Sequence, residues 1–423
     1  MKKTFLLSCL MLAAMPVMAA YTGHVYVDKN KNGVFDQSEK PLAGIKVSDG
    51  LNVVETAADG SFTLPGHERE RFIFITTPSG YKTFNRHYHK IEKKQSGYDF
   101  GLIPYSGRIR KNGSHRYIHI ADTEIFNTEN HADWVNNVRD YARNEQAAFI
   151  IHTGDICYEK GLKAHIKLMN TENMDCPVFY CIGNHDLVKG KYGEELFESI
   201  YGPVYYSFDA GNVHYVVTPM PGGDHAPGYT SDDVCRWLKN DLAHIRPGTP
   251  VVVFNHDLLT YEDTFIFKSK NAGSINLNEY NLKAWVYGHW HINYMKKQGD
   301  VYSVCTSSLD KGGIDHSTTA FRVMHVDSKG DFTSELRYTY LDKNICIASP
   351  AGVMASGVLP VAVNVYSSVS PVREVLYTCL ADGKPVLKNK RLLQSTDWSW
   401  NGELPLSHKY VGKELTLRVT ARF

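Results

Sequence analysis

The chain has 423 residues, too many for one ordinary domain, so two or three are expected. A formal net charge of +1 excludes a protein that grips nucleic acid or anionic membrane through its overall field. With 43% apolar and 22% charged residues, the composition is that of a soluble globular protein and excludes a disordered or fibrous one.

Lys2 and Lys3 precede an apolar run from Phe5 to Met18 that closes on the small residues Ala19 and Ala20. Charge, apolar core and small residues in that order predict a secretory signal over 1–19, too short for a membrane span. Leu6-Leu7-Ser8-Cys9 faintly resembles a lipoprotein cleavage box but lies too early in the run, so no lipid anchor is expected. The mature protein is expected to be exported, periplasmic or extracellular, with no transmembrane segment. Of the 8 cysteines, loss of Cys9 leaves an odd number scattered through strand and helix patterns. That leaves room for one bridge, but buried thiols fit better than a disulfide framework.

Residues 20–105 read as a small β-sandwich, with short alternating runs (His24–Val27, Gly44–Val47, Ser61–Leu64, Arg71–Ile75) between Gly, Asp, Asn and Pro turns. Asp28, Asn30, Asn32, Asp36 and Glu39 stand at positions one, three, five, nine and twelve of a calcium-loop pattern, with Gly33 at six. The loop lies between strands, so it is no EF-hand, and calcium would bind weakly, at roughly 10⁻⁴ to 10⁻³ M. A metal-free hairpin turn is the alternative.

From 106 to 340 strand and helix patterns alternate. Arg116–Ala121, Ala148–His152, Val178–Ile182, Val251–Phe254 and Ala284–Tyr287 read as buried strands. His131–Gln146, Lys163–Met169 and Asp232–Ile245 have helical periodicity, the last with Val234, Trp237, Leu238 and Leu242 on one face. Tyr205–Phe208 and Val213–Thr218 read as an antiparallel pair, and Val301–Cys305, Ala320–Val326 and Phe332–Tyr338 add further β. The expectation is an α/β fold with two sheets. Residues 341–423 carry no helix signal and read as a second β-sandwich.

Five polar clusters punctuate the central region: Asp122-Thr-Glu124, Gly154-Asp155, Gly183-Asn184-His185-Asp186, His256 and Gly288-His289-Trp-His291. Most follow an apolar strand, so they should gather at one sheet edge, where they offer the carboxylate, amide and imidazole ligands that suit transition metals. Singly, each could be a cap, a turn or a solvated loop; in order, each beyond a strand, they point to metal chemistry. A two-metal hydrolase needs a ligand shared by both ions, and Asp155, beside a glycine at a strand end, is the natural bridge. His119, His152 and His214 lie inside strand patterns and read as core or edge histidines.

The set D-T-E, G-D-I-C-Y, G-N-H-D, F-N-H and G-H-W-H resembles the calcineurin-like metallophosphoesterase family, whose pattern opens with D-x-H. The resemblance implies an α/β/β/α metallophosphoesterase sandwich flanked by two small β-sandwich domains, a plan often found in bacterial members. It implies that Asp122, Asp155 and His291 hold one ion, with Glu124 in the place of the usual His. Asp155, Asn184, His256 and His289 would hold the other. His185 would contact phosphate and protonate the leaving group, with Asp186 orienting it. A metal-bound hydroxide would attack a phosphate mono- or diester. Glu124 for His adds charge and favours manganese or iron over zinc; the alternative is that Glu124 points elsewhere and that ion is bound more weakly. Gly154 to Tyr158 also fits a motif of purple acid phosphatases, in which the Tyr ligates iron; a groove-lining aromatic is the alternative for Tyr158. Lys189 and Lys191 could meet phosphate oxygens, Pro219–Tyr229 reads as a rim loop, and Asp257 as support for His256. The rival reading is a binding protein on the same fold that has lost turnover through Glu124.

Overall fold

The computed structural model describes residues 20–340, 343–352, 357–367 and 370–423. The predicted export signal, 1–19, lies outside them.

Two sheets form the centre. In the first, strands run in the order Val178–Tyr180, Phe149–His152, His115–Ile120, Ala320–Val326, Phe332–Tyr338. The first three are parallel, in register Ile118↔Ile150 and Ile151↔Phe179, and the last two antiparallel. The second runs Tyr206–Ala210, Val213–Val217, Val251–Phe254, Leu282–Tyr287, Val301–Cys305, Tyr294–Gln298, with parallel pairing through its middle. Val251–Phe254 is buried at every position, as a strand covered on both faces must be. Between the sheets Tyr117, Phe149, Tyr215 and Phe254 interlock, with Tyr215 and Phe254 stacked at 5.6 Å and Tyr117 edge-on to both.

Helices cover the outer faces. Ala132–Asn144 buries Trp134, Val135, Val138 and Ala142 in a core with Ile118, Ile120 and Ile150 of the first sheet. Ser231–Ala243 opens on a capping box, with the Thr230 hydroxyl accepting from Asp233 N and Asp233 reaching back to Thr230 N. It buries Trp237, Leu238 and Leu242. The helix expected from Lys163 starts earlier, at Tyr158, and runs to Leu168.

The N-terminal strands form two sheets around Val25, Val47, Leu64, Ile73 and Leu102. Their outward residues Phe72, Phe74 and Tyr88 belong to the core of the central domain, where Phe74 meets Trp237. Backbone continues the contact: Asp209 N donates to Thr77 O at 2.8 Å. Arg71 bridges Glu194 and Glu198 at 2.8 and 3.0 Å. The C-terminal strands make two facing sheets around Val363, Val375 and Trp400, tied to the first central sheet through Tyr338 and Tyr366.

Seven cysteines are free among the described residues and all but Cys346 are buried. No described helix is long and apolar enough to cross a membrane.

Candidate metal centre

The C-terminal ends of five parallel strands deliver the predicted ligands to one place. Asp122 follows His115–Ile120, Asp155 follows Phe149–His152, and Asn184 follows Val178–Tyr180. From the second sheet, His256 follows Val251–Phe254, and His289 and His291 follow Leu282–Tyr287. A crevice outside the carboxyl ends of parallel strands is where α/β sheets place their sites.

The backbone is bent to make this possible. Asp122, Glu124, Asp155, His289 and His291 all have positive φ, between 44° and 64°. For residues with a β-carbon this conformation is costly, and such positions concentrate at functional sites. Gly154 has φ 92°, and a β-carbon there would lie 2.5 Å from His256 Nδ1. The glycine before Asp155 therefore lets the two sheets close over the site.

Asp155, His256 and His289 each bring a ligand atom within 4.8 Å of the others, and Glu124, Asp155 and Cys157 do the same. Asp155 is common to both groups. His291 Nε2 stands 3.3 Å from Asp122 Oδ1 and 3.5 Å from Glu124 Oε1. All seven predicted ligands are thus placed around this edge, Asn184 through the turn whose His185 N donates to Asp155 Oδ1 at 3.0 Å.

Two atoms mark the cluster as a candidate cation site. His256 Nδ1 donates to Thr153 O at 2.6 Å, which leaves Nε2 as the ring nitrogen free to meet a ligand. That atom is 3.1 Å from Asp155 Oδ2 without the alignment of a hydrogen bond, and it is buried with no partner. Asn184 Oδ1 is likewise buried and unpartnered. Orphaned buried acceptors are costly unless something electropositive completes them. Burial pulls the His256 pKa down, but Asp155 and Asp122 outweigh it and raise it to about 9. Hydrogen bonding to Asp122 similarly raises His291. The carboxylates call for positive charge at this spot, and the mixed oxygen and nitrogen donors suit transition-metal ions.

The expected partnership of His185 with Asp186 needs correction. Asp186 is fully buried and spent on backbone amides, accepting from Cys157 N at 2.8 Å and Gly183 N at 2.9 Å. It fixes the turn that presents Asn184 and His185. The carboxylate facing His185 is Asp224, whose Oδ2 lies 2.8 Å from His185 Nδ1. Burial lowers the His185 pKa, but Asp224 and the nearby charges of Asp155 and Glu124 give a net rise. In the sequence Asp224 was visible only as part of a rim loop. That loop packs on the ligand turn, with Asp224 N donating to Asn184 O at 3.0 Å.

Sequence reasoning also missed Lys311, which pairs with Glu124. It arrives on a loop that touches His291 through Ile314 N to His291 O at 3.0 Å, and that Asn364 of the C-terminal domain contacts at His316. Cys157 is a further neighbour, but burial raises its pKa and keeps it a thiol. Tyr158 is 42% exposed, and its hydroxyl lies 3.4 Å from His185 Nδ1, so it lines the groove beside the histidine. Asp257 accepts from Trp290 Nε1 at 3.0 Å and so braces the loop between His289 and His291. His119 and His152 bond Thr153 and Thr123 inside the core, and His214 is held between two aspartates. In the calcium-type loop, Asp28 accepts from Asn32 N and Gly33 N, and Glu39 from Lys29 N and Asp36 N.

Two family models match the chain: the N-terminal region of calcineurin-like phosphoesterase over residues 29–104, and calcineurin-like phosphoesterase over 115–293. The chain belongs to the calcineurin-like phosphoesterase family. The second match contains every predicted ligand and His185. This calcineurin-like chain is also similar to purple acid phosphatase 13 of Arabidopsis thaliana, 26% identical over 215 residues, 48% of this chain and 36% of that protein. The chain thus spans about a third of that relative's length. Among solved structures it is similar to a predicted phosphoesterase of Streptococcus pneumoniae at 11% identity, covering 53% of this chain and 98% of that one, with a TM-score of 0.26. Vacuolar protein sorting 29 of Cryptosporidium parvum gives 10% identity, 69% and 98% coverage, and a TM-score of 0.28.

Proposed function

We propose that this protein is an exported, dinuclear metal-dependent phosphoesterase that hydrolyses phosphate mono- or diesters. One observation carries the reading. Asp155 stands between the His256–His289 pair and Glu124, with the orphaned His256 Nε2 beside it, and a histidine–aspartate pair lies at the rim.

Asp122, Asp155, His291 and Glu124 would hold one ion, and Asp155, Asn184, His256 and His289 the other. Manganese, iron or zinc suits the donors. When bound, such ions neutralise phosphoryl oxygens and activate the attacking water. The chain's own residues do the rest. The Nδ1 bond to Asp224 would leave His185 Nε2 for the ester, and the upward push of Asp224 on its pKa favours the protonated form that an acid needs. Water adds its oxygen to phosphorus, and the ester P–O bond breaks with its electrons on the leaving oxygen. His185 gives that oxygen its proton and regains one as the water is deprotonated. Retention of the His185–Asp224 pair supports turnover over simple ligand binding, which needs no acid. Export rests on the charged and apolar pattern of residues 2–20.

The test is a screen of mono- and diesters with manganese, iron, zinc and calcium varied, beside His185→Ala and Asp155→Ala. Metal-dependent hydrolysis lost in both variants is expected. Full activity in both would sink the mechanism.

A further inference from the structure

Beside His185 the groove carries two aromatic rings that no ligand role explains. Phe126 is 53% exposed and Tyr158 42% exposed, although both sit within a few residues of buried metal ligands. Their planes are nearly parallel, at 14°, with centroids 6.2 Å apart. The Tyr158 ring lies 5.3 Å from the His185 ring. The free π-surface therefore begins beside the His185 ring and runs outward from it.

The chain holds this arrangement against its own preferences. Cys157 and Tyr158 have φ of 79° and 55°, two consecutive left-handed residues with side chains at the start of a helix. A tyrosine there is a conformational outlier, and the strain aims its ring outward beside His185 instead of into the helix packing. Phe126 closes the loop that carries Asp122 and Glu124. A second stacked pair, exposed Tyr261 and half-buried Trp290 at 5.8 Å, is anchored by Asp257 beside His289 and His291, away from His185. Among the exposed aromatics of the described residues, Tyr158 is the one whose ring packs against the His185 ring, and Phe126 extends that surface.

Resting on the phosphoesterase reading, we propose that Phe126 and Tyr158 form a stacking platform for the leaving group, so that the preferred substrates are phosphate esters of alcohols bearing a planar aromatic ring. A nucleoside or a simple aryl group would present the same face. Aliphatic esters such as glycerol phosphate would reach the metals but find nothing to stack on. Aromatic platforms of this kind tolerate any ring because every planar ring has a π-face.

The experiment compares kcat/KM of the metal-loaded enzyme for adenosine monophosphate, phenyl phosphate and glycerol phosphate. It is repeated in Phe126→Ala, Phe126→Tyr, Tyr158→Ala and Tyr158→Phe. Comparing ratios across variants cancels the different intrinsic reactivities of the esters. The ratio of aromatic to glycerol ester should fall about tenfold in each alanine variant, the size of one lost stacking contact. It should stay within about twofold in Phe126→Tyr and Tyr158→Phe, which keep the rings. A fall for adenosine monophosphate alone assigns the platform to nucleosides, and for phenyl phosphate alone to aryl groups. Hydrolysis of all three with unchanged ratios in both alanine variants overturns the platform and leaves the phosphoesterase reading intact. No hydrolysis of any ester by the loaded wild type overturns both.

Discussion

His256 and His214 are a natural pair for comparison. Both are buried, both stand beside carboxylates, and in both the carboxylates lift the pKa to about 9 against the pull of burial. Their bonding separates them. His214 has each ring nitrogen on an aspartate, Nδ1 on Asp209 at 2.7 Å and Nε2 on Asp241 at 2.8 Å. Asp241 is completed by Ser207, and Ser207 by Thr76 of the N-terminal domain, both at 2.8 Å. His256 keeps Nε2 unpartnered beside Asp155. A shifted pKa marks both clusters, but only an unpartnered ring nitrogen marks the candidate metal site. The first is a staple, the second a socket.

The largest effect should come from emptying the socket. Asp155→Ala removes the residue common to both donor groups, so kcat should fall about 10³-fold or more. Bound metal, read by elemental analysis, should fall with it, while the melting temperature holds. Activity with full metal content would break the comparison.

Removing the staple should do the reverse. His214→Gln leaves Asp209 and Asp241 buried without their cation, at a cost of about 3–5 kcal/mol, with metal content unchanged in the folded fraction. The sign of the pH dependence follows from the raised pKa. The contribution of His214 is complete below its unfolded value of 6.5 and is lost as pH rises through about 9. Urea unfolding at a series of pH values should show the gap between wild type and variant closing across that window. A gap that widens with pH would contradict a charged His214.

At the rim, Asp224→Asn should lower kcat about 10- to 100-fold, more for alkyl than for aryl esters, because a poor leaving group depends more on the acid. Asp186→Asn should instead cost about 1–3 kcal/mol of stability, since its amide cannot accept from both Cys157 N and Gly183 N as the carboxylate does. If Asp186→Asn alone showed the leaving-group dependence, the reassignment of the His185 partner would be wrong. The smallest effect should be that of Lys311→Met. Its ion pair with Glu124 is half exposed, so freeing the carboxylate should tighten manganese binding only about two- to fivefold by calorimetry.

Much of this was legible in the chain. Val251–Phe254 and Ala148–Ile151 announce buried strands by unbroken apolar runs, and the ligand clusters follow such runs within about four residues. What escaped lies across loops. Asp224 and Lys311 sit 39 and 187 residues from their partners His185 and Glu124, and no local pattern ties such pairs. Asp186 misled because sequence neighbours in a tight turn need not face each other. Its side chain turned back to two orphan amides while His185 turned outward. The start of the helix at Tyr158 was hidden by its unusual backbone, which no propensity predicts.

Phe72, Phe74 and Tyr88 have a practical meaning for anyone cutting the gene. A fragment starting near residue 106 would carry Trp237 and Phe208 with their cover gone, and would leave Glu194 and Glu198 without Arg71. Such a fragment should collect in inclusion bodies, and mild protease should yield no durable catalytic core. Evolution meets the same barrier, because the front sandwich cannot be shuffled onto another scaffold without rewriting the wall it shares.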